Sequence, residues 1–142
     1  DNDATRNFAV QLAGAWKRAD LGEPLLTLAA EGSGVAFDSL VQIRGPKVLN
    51  GLKKLTAADK PLEIRQAAAR SLGRFNLKGS LSEVYAVLKD TKDTNSALEL
   101  WRGLLSNRGA GSLLASGLAG VQLSKPVANA GLRAAREGGR NE

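Results

Sequence analysis

Apolar residues return at helical spacing along nearly the whole chain. Phe8, Ala9, Leu12 and Trp16 stand at the i, i+4, i+8 spacing of one helix face, with Asn7, Gln11 and Lys17 outside it. Glu23-Pro24 opens a second run, Leu25, Leu26, Leu28 and Ala29, because proline suits a first helical turn. Glu31-Gly32-Ser33-Gly34 reads as its C-cap and loop. Phe37, Leu40, Val41 and Arg44 predict a third helix, and Gly45-Pro46 punctuates before Val48, Leu49, Leu52 and Leu55. Lys60-Pro61 starts a fifth, with Ile64, Ala67, Ala68, Leu72 and Phe75 inward and Gln66, Arg70 and Arg74 outward. Leu81 to Leu88, Ala97 to Leu105 and Leu113 to Val121 supply three more, and Lys125-Pro126 opens a ninth. No stretch alternates over a strand's length, so the expected fold class is all-α.

The helices are short and come in pairs, which predicts a repeat. Placing Arg6 on Arg65, a shift of 59 residues, puts Ala9 on Ala68, Gly14 on Gly73, Trp16 on Phe75, Leu25 on Val84, Leu26 on Tyr85 and Leu28 on Val87. That shift is twice a step of about 30 residues, so a third pair belongs between them. Leu40 to Leu52 supplies it in degraded form, and Ala97 onward continues the rhythm less faithfully. Small Ala67, Ala68 and Gly73 would let neighbouring helices approach closely. The architecture expected is an α-α superhelix, a right-handed solenoid of about four to five helix pairs over residues 1–142.

The stretch Pro61-Leu62-Glu63-Ile64-Arg65-Gln66-Ala67-Ala68-Ala69-Arg70-Ser71-Leu72-Gly73 resembles the first helix of a short HEAT repeat, and Leu81 to Leu88 its second. The run from Pro126 to Arg140 resembles the HEAT region of large bacterial haem-c proteins, which join a dehydrogenase-like propeller, helical repeats and a cytochrome c domain. The second resemblance implies a spacer in an exported multidomain oxidoreductase, whose haem and dehydrogenase activity would sit elsewhere in a longer parent. The chain starts with Asp rather than Met, which reads as a processed product or an excised domain.

Composition narrows the chemistry. The chain of 142 residues has no Cys, His or Met, so thiolate nucleophiles, zinc fingers, haem attachment and histidine base catalysis have no residues here. No cofactor, metal or catalytic residue is expected. The longest apolar stretch, Leu113 to Leu123, is broken by Ser116 and Gln122 and is too short to span a bilayer. Compartment stays open.

Net charge is +6, and basic residues recur near the end of the first helix of each pair. They are Lys17-Arg18, Arg44 with Lys47, Arg74 with Lys78, Arg102 with Arg108, and Arg136 with Arg140. With Arg70 of the fifth helix, Arg44, Lys47, Arg74, Lys78, Arg102 and Arg108 make the candidate interaction surface. A row of cations can follow a phosphate backbone, whereas the plainer reading is that they complement helix C-termini and keep the surface soluble. Residues 1–71 carry ten basic and eight acidic groups and residues 72–142 ten and six, a net of +2 then +4, with acids interspersed.

Trp16 and Trp101 could stack on bases or anchor a partner, but both lie on the apolar stripe of their helices and read as core, as does Tyr85 with its hydroxyl at the rim. Gly109-Ala110-Gly111-Ser112 lacks a P-loop lysine and reads as a connecting loop with Ser112 as N-cap. The carboxylates are scattered and no two share a predictable catalytic face. The expectation is therefore a non-catalytic scaffold that holds another protein or another domain of its parent. The alternative is a nucleic-acid-binding module similar to the DNA glycosylases built on HEAT-like repeats, with Arg44, Arg74, Arg102 and Arg108 lining one concave groove.

Overall fold

A computed structural model describes residues 2–16, 18–118 and 120–138. These form nine α-helices and no strand: α1 Asn2–Ala15, α2 Gly22–Ala30, α3 Gly34–Ile43, α4 Pro46–Leu55, α5 Leu62–Asn76, α6 Leu81–Asp90, α7 Thr94–Leu105, α8 Ala110–Gly117 and α9 Lys125–Glu137. Short 3-10 turns precede α2 and α6.

The boundaries follow from local chemistry. After α2, Gly32 takes a positive φ of 102° while its N–H bonds the Ala29 carbonyl at 3.0 Å and the Ser33 N–H reaches back to Leu28 at 3.1 Å. This Schellman arrangement satisfies the last carbonyls of α2. Ser33 then accepts the Ala36 N–H on its hydroxyl, so one residue ends a stop and starts α3. Asp93 caps α7 in the same way, accepting from Ser96 N–H at 2.9 Å. Pro46 opens α4, as expected, whereas Pro61 stands just outside α5. Ser112 lies inside α8 and does not cap it, because Gly109, at φ 77°, makes the turn and the helix begins immediately after it. Consequently Leu118 and Val121 follow α8 and do not belong to it.

The odd-numbered helices lie side by side, α1 on α3, α3 on α5, α5 on α7 and α7 on α9. The even-numbered helices form a second layer. Leu26 of α2 meets Gly51 of α4, Lys53 of α4 faces Glu83 of α6 at 3.7 Å, and the Tyr85 hydroxyl of α6 donates to the Leu114 carbonyl of α8 at 2.9 Å. Contacts ascend together, Arg70 with Gly103 and Gly73 with Leu104, Gly22 with Val48 and Leu26 with Gly51. α5 with α7 and α2 with α4 therefore run parallel, which requires an intervening helix to carry the chain back. α2 packs on α3 and α4 on α5, closing one layer over the other.

Two apolar clusters fill the space between layers, and they meet on α5. Ala68 and Leu72 of α5 join Leu40 and Leu52, while Ala69 joins Leu88, Leu100 and Leu104. These leucines are fully buried, each worth about 2 kcal/mol by apolar transfer. α5 differs from expectation at its polar positions. Gln66 is buried, not outward, and its amide donates to the Thr91 hydroxyl at 3.2 Å. Arg65 beside it is also buried, donating to the Thr56 carbonyl and to Asp90, both at 2.9 Å.

Layer spacing is set by glycines. A Cβ on Gly14 would lie 2.7 Å from Ser39 Cα, and one on Gly73 would lie 2.9 Å from Leu104. Gly34 of α3, by contrast, has open space where a Cβ would go. Alanine is the better helix former, so sterics alone should decide the sign of each substitution. Gly14→Ala is expected to lower unfolding free energy by about 1–3 kcal/mol, and Gly34→Ala to leave it unchanged or raise it by about 0.5 kcal/mol. Urea denaturation of both variants checks this; a Gly14→Ala variant no less stable than the unaltered chain would mean that the α1–α3 contact relaxes freely.

Candidate functional site: an arginine face and an apolar cleft

Three of the seven candidate cations come together on the odd-helix layer. Arg70 of α5 is half-buried, its aliphatic stem lying over Gly103 of α7, and its guanidinium has no ion-pair partner among the described residues. One turn on, Arg74 donates to Asp38 of α3 at 2.7 Å. Phe37, Asp38, Arg70, Arg74, Gly103 and Ser106 border a depression of about 280 Å³. Ser106 also borders the next depression, of about 290 Å³, beside Arg102 and Glu137. There Arg102 of α7 grips Glu137 of α9 through two bonds of 2.8 and 3.0 Å, and Arg133 adds a third at 3.0 Å. The bidentate fork is the strong geometry for an arginine and a carboxylate.

None of the other four borders these two depressions. Arg44 follows α3 at φ 62° and ψ −162°, a conformation suited to glycine. Its guanidinium sits 5.4 Å from the Phe75 ring centroid and donates to the Phe75 carbonyl at 3.4 Å, so a cation–π contact ties this strained turn to the end of α5. Lys47 is near the start of α4 and lines a depression with Glu23 and Thr27 of α2, in the other layer. Lys78 stands in the turn before α6 and Arg108 in the turn before α8, both exposed. Arg18 is held by Asp20 at 2.8 and 3.0 Å, whereas Lys17 and Arg140 lie outside the described residues.

The aromatic residues divide. Trp101 is buried, and its indole N–H donates to the Val127 carbonyl at 2.9 Å. Tyr85 is buried with its hydroxyl, which is bonded within the even layer and does not sit at the rim. Trp16 overturns the reading as core: it is 67% exposed, and Phe8 on the same stripe is 61% exposed. The reason is rotational. α1 turns Val10, Ala13 and Gly14 toward α3, with the Ser39 hydroxyl donating to the Val10 carbonyl at 2.7 Å, and this points the Phe8, Leu12 and Trp16 stripe the opposite way.

Sequence reasoning missed an apolar cleft of about 350 Å³ between α7, α8 and α9. Trp101, Leu105, Leu114, Leu118, Leu123 and Leu132 line it, and Leu132 is 59% exposed. Leu118 and Leu123 belong to the connection between α8 and α9. Sequence reasoning also missed the buried Arg65, although Arg65, Ala68, Ala69 and Leu72 stand at i, i+3, i+4 and i+7 and mark its side of α5 as inward.

No helix among the described residues is long and apolar enough to cross a membrane. Compared with family models, with curated proteins and with solved structures, the chain finds no match.

The Arg102 fork holds the Glu137 carboxyl below the ordinary glutamate range, with Arg133 adding to the effect. A folded-state value below the unfolded one means the α7–α9 clamp contributes above the unfolded value and is lost as pH falls through the lowered one. Arg102→Gln is expected to move the Glu137 titration back up toward the ordinary value, because Arg133 alone remains. Carboxyl NMR titration of both proteins checks it; an unmoved Glu137 would show that Arg102 does not hold it in solution.

Proposed function

We propose that this chain is a non-catalytic interaction scaffold, an α-solenoid of HEAT-like helix pairs whose odd-helix face holds another protein or another domain of a longer parent. Parallel neighbours in two layers, with a helix-pair step of about 30 residues, support the solenoid reading. One observation carries the choice of partner. Two of the three arginines on the odd layer are already matched, Arg74 by Asp38 and Arg102 by Glu137, each carboxylate on a neighbouring helix, and Arg70 alone is left. A phosphate backbone would have to displace those carboxylates and would gain few free cations in return. A protein surface gains from the same arrangement, since ion pairs, hydroxyls and the apolar Phe37, Ala67, Leu105 and Ala134 share two adjoining depressions, the mixture that protein contacts use.

The nucleic-acid alternative draws on Arg44, Arg70, Lys78 and Arg108, which the described carboxylates leave unmatched. Fluorescence anisotropy with labelled duplex and single-stranded DNA at two salt concentrations separates the readings. The expected result is no saturable binding below about 1 μM near physiological salt. Asp38→Asn with Glu137→Gln frees Arg74 and Arg102, and should strengthen whatever weak binding exists and steepen its salt dependence by about 0.9 per freed arginine that meets a phosphate. Sub-micromolar, salt-steep binding by the unaltered chain would overturn the scaffold proposal.

A further inference from the structure

Positive charge collects along one stretch of the chain and is used unevenly. Residues 39–58 hold four cations and no carboxylate. Arg44 lies over Phe75, and Lys53 faces Glu83 while donating to the Gly79 carbonyl at 2.8 Å, so both serve the fold. Lys47 and Lys54 are exposed, and neither has an ion-pair or hydrogen-bond partner among the described residues. Helix stability does not account for Lys47. It stands in the first turn of α4, directly after Pro46, where unpaired N–H groups already make the helix end positive and a carboxylate is favoured. Lys54, in the last turn, does complement its helix end.

The fold sets these two lysines, with Asn50 between them, along one side of a groove of about 560 Å³ between α2 and α4. Lys60, from the connection after α4, lines the same groove. Glu23 and Thr27 stand on the α2 side, and the floor is apolar, with Leu26 seated over Gly51. Asp59, next to Lys60 in the chain, is exposed and does not line it. Three ammonium groups thus share one depression with a single carboxylate, and none of them is paired with it.

We propose that the α2–α4 groove is an interaction surface of its own, one that takes an extended acidic segment of a partner protein. Unpaired charge selects an anion. A carboxylate opposite Lys47 would meet both the ammonium and the positive end of α4. Spacing and hydrogen bonding select a polypeptide. Lys47 and Lys54 stand about 10 Å apart along the helix axis, a length that about three residues of extended chain match. Asn50 lies between them with its side-chain amide unpartnered among the described residues. That amide both donates and accepts, as a peptide backbone does, whereas a phosphodiester chain only accepts. The cations are exposed, so the contact is weak and salt-sensitive. The groove belongs to the even layer, and the inference therefore stands apart from the scaffold reading of the odd face, which the DNA titration tests.

Amide NMR signals of the isotope-labelled chain, followed during titration with end-capped hexaglutamate, test the proposal. Shifts are expected to saturate at Thr27, Asn50, Gly51 and Lys54. Raising salt from about 20 to about 150 mM should weaken binding by about threefold or more. Lys47→Gln with Lys54→Gln should weaken it by about fivefold or more. Lys89→Gln with Lys92→Gln removes the same charge from other positions and should weaken it by less than about twofold. Glu23→Gln should strengthen it by about twofold. All five positions are exposed, so circular dichroism should be unchanged. A titration in which no groove signal saturates would overturn the inference. So would an equal loss from the two double variants, since net charge alone would then explain the binding. A thymidine hexanucleotide that shifts the same signals at lower concentration than the peptide would do the same, by making the groove a site for a phosphate chain.

Discussion

Close approach of parallel helices within each layer is the constraint on which the rest of the structure depends, and glycine supplies it. Gly14 admits Ser39, Gly73 admits Leu104, Gly103 admits the stem of Arg70, and Gly131 admits the Trp101 ring, a Cβ at any of them falling at 2.7–2.9 Å from its neighbour. Real atoms do not pack at that distance, so these neighbours occupy the volume the missing side chains leave. The same holds in the even layer, where Leu26 sits over Gly51 and Tyr85 over Gly117. Such contacts carry little apolar area of their own. They set the distance at which Leu40, Leu72 and Leu104 become fully buried, and that burial supplies most of the stabilisation.

Polar links then hold one helix to the next along and across the layers. Arg65 joins the end of α4 to the end of α6 through Thr56 and Asp90, and Gln66 joins α5 to Thr91 just beyond α6. A buried guanidinium is costly unless nearly every donor finds an oxygen, so these groups tolerate few alternative packings. The exposed links, Arg74 to Asp38 and Arg102 to Glu137, bridge neighbouring odd helices and contribute less, because water and salt screen them. Their larger consequence is functional. They convert what would be a row of free cations into alternating charge.

Helix positions were legible in the sequence because short apolar runs punctuated by Gly-Pro, Ser-Gly and Lys-Pro leave few alternatives. Facing was less legible. α1 presents a Phe8–Leu12–Trp16 stripe and a Val10–Ala13–Gly14 stripe, and size pointed to the first while close approach to Ser39 selected the second. Gln66 read as outward because it is polar, yet Thr91 gives it a buried partner that only the fold brings near. The arginine face was half legible: Arg70, Arg74 and Arg102 follow from periodicity, but Asp38 and Glu137 lie 36 and 35 residues from their partners. That spacing is one helix pair, and nothing local in the chain marks it.

The two ends of the odd layer are finished differently, and the difference has a physical consequence. A stacked array stays soluble when its outermost helices turn a polar side outward. α9 does so in part, since Lys125, Asn129 and Arg136 share the side that carries Leu132. α1 does not: beyond Ala4 and Thr5 its outward side is Phe8, Leu12, Ala15 and Trp16. Hydration of those two rings costs free energy at every moment the end is bare, a cost that α9 bears only at Leu132.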